Sequence, residues 1–235
     1  MPYSGSSVPK GGLHSLRGLI FDCDGVLINS RLANITFYNR LRARWSLPPL
    51  TPEEEDFAHM ATYEQALRHI FRGLGEESVR HLLTGGAKKE LDAYLDDYYS
   101  LLQAEEGLIP LLDRLRAESF GLGVCTNRLS PLEGFLARFK LEKYFSPVQT
   151  ASNSQPKPSP DGLLQVLAAW GAKAGEVAYI GDSKVDEQAA AAAGVPFWAF
   201  KNPKLCAALH FDTFADLHRR LFPGETADPS AENKT

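Results

Sequence analysis

A chain of 235 residues that is 44% hydrophobic and 23% charged, with 19 Gly and 15 Pro, has a globular composition that excludes collagen-like, low-complexity and mostly disordered classes. Its 25 Lys and Arg against 29 Asp and Glu leave a net charge of -4 with no basic run, so no nucleic-acid partner is expected. Cys23, Cys125 and Cys206 are too few for a disulfide framework or a Cys-rich zinc site, and no stretch reaches the ~18 to 20 apolar residues of a membrane span, so a cytoplasmic protein with no membrane partner is expected.

Residues 1–15 are rich in Gly, Ser and Pro and lack the apolar core of an export signal, and residues 223–235 are acidic and Pro-containing. Both ends are expected to be disordered. An apolar run at Gly18 to Cys23 predicts a first strand, and further runs at Gly121 to Cys125, Val177 to Ile180 and Val195 to Phe200 predict three more, with a weaker one near Tyr144 to Val148. Continuous runs of this kind suit strands covered on both faces. Helical periods fall between them at Leu108 to Glu118, Leu132 to Phe139, Gly162 to Trp170 and Asp186 to Ala193.

The alternation breaks after the first strand, where Leu32 to Trp45, Glu53 to Phe71 and Glu76 to Leu102 carry three long amphipathic patterns and no convincing strand. Thr51, Pro52 and Glu54 read as a helix start, as do Ser130, Pro131 and Glu133, and Ser159 with Pro160. The expected architecture is α/β, a Rossmann-like parallel sheet core formed by residues 16–29 and 106–222 with an inserted all-helical cap at 30–105. The linkers near Leu27 to Ser30 and Ala104 to Gly107 are short enough to act as hinges.

Three strand ends carry polar groups. The first gives Asp22-Cys23-Asp24-Gly25, the second Thr126-Asn127, and the third Gly181-Asp182-Ser183 with Asp186 four residues after Asp182. Each alone reads as a turn or a helix cap, and Lys157 in its Pro-rich loop reads as solvated. Functional groups collect at the carboxyl ends of strands in open parallel sheets, however, so the three stretches point to one crevice. Asp22, Asp24, Asp182 and Asp186 together there would repel one another unless a cation were bound, and ligation by oxygen without His or Cys favours Mg²⁺.

On these motifs the chain resembles the haloacid dehalogenase superfamily, in its capped phosphatase branch of phosphoglycolate phosphatase and beta-phosphoglucomutase type. The matches are Asp22-x-Asp24-Gly-Val, Thr126-Asn127, Lys157-Pro158-x-Pro160, and Gly181-Asp182-Ser183-x-x-Asp186, in the family's order. The resemblance implies that Asp22 is the nucleophile, that Asp24 is the general acid and base, and that Thr126 and Lys157 hold the transferring phosphoryl with a contribution from Asn127. It also implies Mg²⁺ on Asp22, Asp182 and the backbone carbonyl of Asp24, with Asp186 supporting the ion or orienting Lys157.

Two departures are visible. Asn29 stands where many members have Asp, and Phe57 to Tyr63 lacks the Gly-rich loop often found in phosphoglycolate phosphatases, which argues against that particular substrate. His59 in that segment could contact a leaving group, whereas Arg68, His69, Arg72, Arg80 and His81 read first as a solvated helix face. The resulting expectation is a Mg²⁺-dependent phosphatase acting on a small phosphorylated metabolite, with a sugar phosphomutase and a catalytically idle phospho-ligand-binding protein as the alternatives. A dehalogenase would lack Asp24, and a phosphonate-cleaving enzyme would show a Schiff-base lysine in the cap.

Overall fold

The computed structural model describes residues 15–61, 63–128 and 132–224. The ends expected to be disordered and the helix start at Ser130 and Pro131 lie outside the described residues, apart from Ser15, Pro223 and Gly224. From the amino end the elements are β1 (Gly18–Phe21), β2 (Ile28–Asn29), α1 (Arg31–Arg44), α2 (Pro52–Met60), α3 (Tyr63–Ile70), α4 (Glu76–His81), α5 (Ala87–Asp92), α6 (Leu95–Ser100) and β3 (Gln103–Ala104). They continue with α7 (Leu108–Ala117), β4 (Gly121–Cys125), α8 (Leu132–Arg138), β5 (Val148–Gln149), α9 (Asp161–Trp170), β6 (Val177–Gly181), α10 (Lys184–Ala193), β7 (Phe197–Phe200), β8 (Leu209–Phe211) and α11 (Phe214–Leu221). The chain divides into two compact units, Met1–Ile28 with Ala104–Thr235, and Asn29–Gln103.

The first unit is built on a six-stranded sheet in the order β5-β4-β1-β6-β7-β8, every pair parallel. Its central strands are buried along their whole length because helices cover both faces, which is why they read as unbroken apolar runs rather than alternating ones. On one face Ile20, Tyr179 and Phe197 pack with Leu163 and Val166 of α9 and with Ala189 and Ala190 of α10. Phe21, Phe200, Phe211 and Phe214 form an aromatic cluster, with Phe200 stacked on Phe214 at 4.8 Å. Trp170 ends α9 and lies flat against Gly18, Gly121 and Gly123, where an added Cβ would come within 2.7 to 3.1 Å of the indole. Glycine in β1 and β4 is therefore a packing requirement of that ring.

The sheet extends one strand further than expected. β8 has three residues, too few for a visible alternation, and α11 follows it, started by the Thr213 hydroxyl accepting from the Asp216 amide. The weak strand expected near Tyr144 to Val148 is formed by Val148 and Gln149 instead.

In the second unit the Thr51 box is present: its hydroxyl accepts from the Glu54 amide while the Glu54 carboxylate accepts from the Thr51 amide. Glu54 also accepts from Arg72 at 2.7 Å and lies 3.5 Å from the buried Arg42, whose guanidinium donates to the carbonyls of Pro48 and Ile70. Two of the three long helical patterns are broken. The second stops at Ala61, which is extended (ψ 160°), and the third is interrupted by a π-helical turn at Leu82–Gly86 in which Gly85 adopts φ 119°. The expectation of no strand between residues 30 and 105 fails at β3, which pairs with β2. Among the basic residues Arg68 pairs with Glu64 at 2.9 Å and Arg72 with Glu54 at 2.7 Å, while His69 stacks on Phe57 at 4.1 Å.

Candidate active site

Parallel register sets Phe21 beside both Val124 and Ile180, so β4, β1 and β6 end at one edge of the sheet. The residues just past those ends are therefore neighbours. The Asp22 amide still donates to the Ile180 carbonyl at 2.8 Å, and the Thr126 amide to that of Gln149 at 3.0 Å, which fixes the backbone under both side chains. Oxygens of Asp22, Asp182 and Asp186 all lie within 4.8 Å of one another.

Lys157 reaches this cluster from the loop before α9, across 135 residues of chain from Asp22. Its ammonium donates to Asp22 Oδ1 at 2.6 Å, to Asp186 Oδ1 at 2.5 Å and to the Tyr179 hydroxyl at 2.9 Å, which uses all three of its protons. Lys157, which its Pro-rich loop taken alone would leave solvated, is 7% exposed. Its backbone is clamped by Asn127, whose Oδ1 accepts from the Lys157 amide at 2.7 Å and whose Nδ2 donates to the Lys157 carbonyl at 3.0 Å. Both ends of that side-chain amide are thus engaged on the loop. Tyr179 Oη lies 2.8 Å from Asp186 Oδ1 and 3.0 Å from the Cys125 carbonyl, so its single proton serves one of them at a time.

Asp186 is completely buried at the start of α10. While Oδ1 takes Lys157 and Tyr179, Oδ2 accepts from both the amide and the hydroxyl of Ser183. These contacts tie Asp186 to the Lys157 ammonium and to the turn at Ser183. Asp182 is placed through its main chain, since Asn202 Nδ2 donates to the Asp182 carbonyl at 2.8 Å.

The electrostatics show a surplus of acid. Burial pushes the Asp22 carboxyl up to about 7, opposed by the Lys157 ammonium and reinforced by Asp186. Burial, then the charges of Asp186 and Asp22, raises Asp182 well above the ordinary carboxylate range. Asp186 goes the other way: burial would raise it, but Lys157, Ser183 and Tyr179 outweigh burial and hold it low. Burial would lower Lys157, but Asp186 and Asp22 hold its ammonium above the ordinary value.

Gly25 permits this proximity. Its φ is +80°, and a Cβ added there would sit 2.1 Å from Asp182 Oδ2. Gly25→Ala combines left-handed strain with displacement of that carboxylate, and is expected to cost about 2 kcal/mol or more of stability, measured by urea unfolding. An unchanged midpoint would mean that the turn and Asp182 relax freely.

The Asp24 carboxylate is not part of the three-acid cluster; its Oδ1 accepts from Arg128 Nη1 at 2.7 Å. Thr126 is buried, and its Oγ1 accepts from the Arg128 amide at 3.3 Å. The side chain of His59 lies outside the described residues. Cavities of about 380 and 350 Å³ occur among Tyr63, Glu64, Arg68 and Arg80 and around Trp170, and neither is lined by a residue of the acid cluster. Tyr179, Arg128 and Asn202 were not foreseen from the sequence. The signal for Tyr179 was present, since a hydroxyl inside a fully buried strand must find partners.

This fold and constellation define a class, and residues 19–200 match the family model described as haloacid dehalogenase-like hydrolase. The chain belongs to that family and is a hydrolase. It is 30% identical over 201 residues to a phosphoglycolate phosphatase of Shigella dysenteriae, covering 77% of this chain and 79% of that protein. It is also 30% identical over 183 residues to one of Synechococcus elongatus, covering 77% and 81%. Among solved structures, a subfamily IA hydrolase of the same superfamily from Geobacter sulfurreducens superposes with a TM-score of 0.71 at 35% identity, covering 88% of this chain and 97% of that one.

Proposed function

We propose that this hydrolase cleaves the phosphate monoester of a small metabolite through an aspartyl-phosphate on Asp22, with Mg²⁺ as cofactor, in the cytoplasm. The observation that carries the proposal is the buried Asp22 carboxylate held 2.6 Å from the Lys157 ammonium beside two further acids. The donor set fits the ion: it is all oxygen, and one ammonium leaves the charge of its carboxylates undercompensated, as the raised Asp22 and Asp182 carboxyls register. Asp22, Asp182 and the Asp24 carbonyl would hold Mg²⁺. When bound, the ion offsets the repulsion between a carboxylate and a phosphate dianion.

In the first half-reaction an Asp22 oxygen bonds to phosphorus as the ester oxygen departs, taking a proton from Asp24. In the second, Asp24 takes a proton from water as the water oxygen bonds to phosphorus and the Asp22 oxygen leaves. Lys157, Thr126 and the Asn127 backbone N–H hold the transferring group, and Asp186, Tyr179 and the Asn127 side chain hold Lys157. Two covalent steps replace one displacement whose uncatalysed barrier is among the highest known.

Phosphate release from a panel of phosphorylated sugars, nucleotides and short acids, with and without Mg²⁺, tests the proposal. Phosphoglycolate, the compound in its relatives' names, is the first ester to try in that panel, against the expectation drawn from Phe57 to Tyr63. Metal-dependent release is expected from at least one ester; folded protein that releases none from any contradicts it.

A further inference from the structure

Asp24 is held by a residue outside the family motifs. Its side chain is 40% exposed, and an exposed Asp next to a glycine turn samples several rotamers unless something fixes it. Arg128 supplies the constraint, donating from Nη1 to Asp24 Oδ1 at 2.7 Å across 104 residues of chain. The guanidinium is itself fixed. Its Cζ lies 4.0 Å from the centroid of the Phe135 ring, a cation–π stack that orients the plane. Its backbone is fixed at both ends too, the amide donating to Thr126 Oγ1 at 3.3 Å and the carbonyl accepting from the Ala151 amide at 3.0 Å. The rigidity of α8 and of the strand end at Thr126 is thereby passed to an exposed carboxyl group.

We infer that Arg128 is a positioning residue for Asp24, taking Oδ1 so that Oδ2 faces the oxygen of the departing alcohol. The inference rests on the phosphatase reading above. Lysine cannot do the same work, because a flexible point charge neither stacks on Phe135 nor fixes the orientation of its partner.

The test uses phenyl phosphate and 4-nitrophenyl phosphate, two esters of nearly the same shape. Nitrophenolate departs readily as an anion, whereas phenolate benefits from a proton delivered as the bond breaks. Their kcat/KM values include only the steps up to departure of the phenol, so hydrolysis of the aspartyl-phosphate does not enter. Arg128→Gln is expected to lower the phenyl-to-nitrophenyl ratio of kcat/KM about tenfold, and Arg128→Lys to recover only part of it. Equal losses on both esters, or none, overturn the inference, since a merely structural role would not move the ratio. Phe135→Leu removes the stack but keeps the guanidinium, and decides the matter if Arg128→Gln does not fold: a smaller fall in the same ratio supports the inference and an unchanged ratio overturns it. A wild-type protein that releases phosphate with Mg²⁺ from neither of these esters nor any ester of the panel above overturns the phosphatase reading instead, and this inference with it.

Discussion

Asp22→Asn is expected to reduce kcat by roughly 10⁴-fold or more on any ester the wild-type protein hydrolyses, while leaving the fold intact. The amide is nearly isosteric and can still accept from Lys157, so the ion pair is weakened without opening a cavity. What is lost is the nucleophilic oxygen, since Asp186, the other carboxylate on the ammonium, is completely buried with both of its oxygens already engaged. The effect on stability has the opposite sign. The Asp22 carboxyl is raised to about 7 in the folded protein, chiefly by burial, so the stability linked to its protonation is full at low pH and is lost as pH rises through 7. At pH 8 without metal the wild type carries an ionised buried acid that the variant lacks. The Tm of Asp22→Asn relative to wild type should therefore rise between pH 6 and pH 8. Assays and thermal melts at the two pH values check both parts; a variant retaining a tenth of the activity would remove the nucleophile assignment.

The second large effect concerns the metal. Mg²⁺ binding to the folded chain should raise its Tm, with a stabilisation of about 2.7 kcal/mol when the free ion reaches a hundred times its Kd. The gain should be larger at pH 8 than at pH 6. Asp22 and Asp182 are both raised in the metal-free protein, so at the lower pH the ion must displace protons that at the higher pH have largely left Asp22. Asp182→Asn should weaken Mg²⁺ binding by about 100-fold or more, and with it the Tm response, without a comparable loss of metal-free stability. Differential scanning calorimetry over a Mg²⁺ series reads this directly without reference to turnover. An equal Tm rise in wild type and Asp182→Asn would place the ion elsewhere.

The sheet was legible because its strands are covered on both faces and so appear as unbroken apolar runs ending in Asp, Thr or Gly. Gly18 to Phe21, Gly121 to Cys125 and Val177 to Gly181 carry that signature. β8 and the breaks in the helices of the second unit were not, since three residues show no period and a helical pattern continues across Gly85 even where the backbone does not. In the site, the carboxylates announce themselves by position, but the environment of Lys157 does not. Nothing local says that a lysine between prolines is buried. That follows from the Asn127 clamp and from three acceptors supplied by the residue just past β1, by β6 and by α10, contacts made across tens of residues of chain or more. Arg128 was hidden for the same reason, because its partner Asp24 lies in a different motif and only the parallel register of β1 and β4 makes them neighbours.

The most direct test of the central claim, that the Asp22 carboxylate accepts the phosphoryl group, is chemical trapping. Wild-type protein quenched during turnover with borohydride, which reduces an acyl phosphate to the alcohol, should yield homoserine at position 22 and at no other acid when its peptides are weighed by mass spectrometry. Reduction at a different aspartate, or none under conditions where phosphate is being released, would contradict the account.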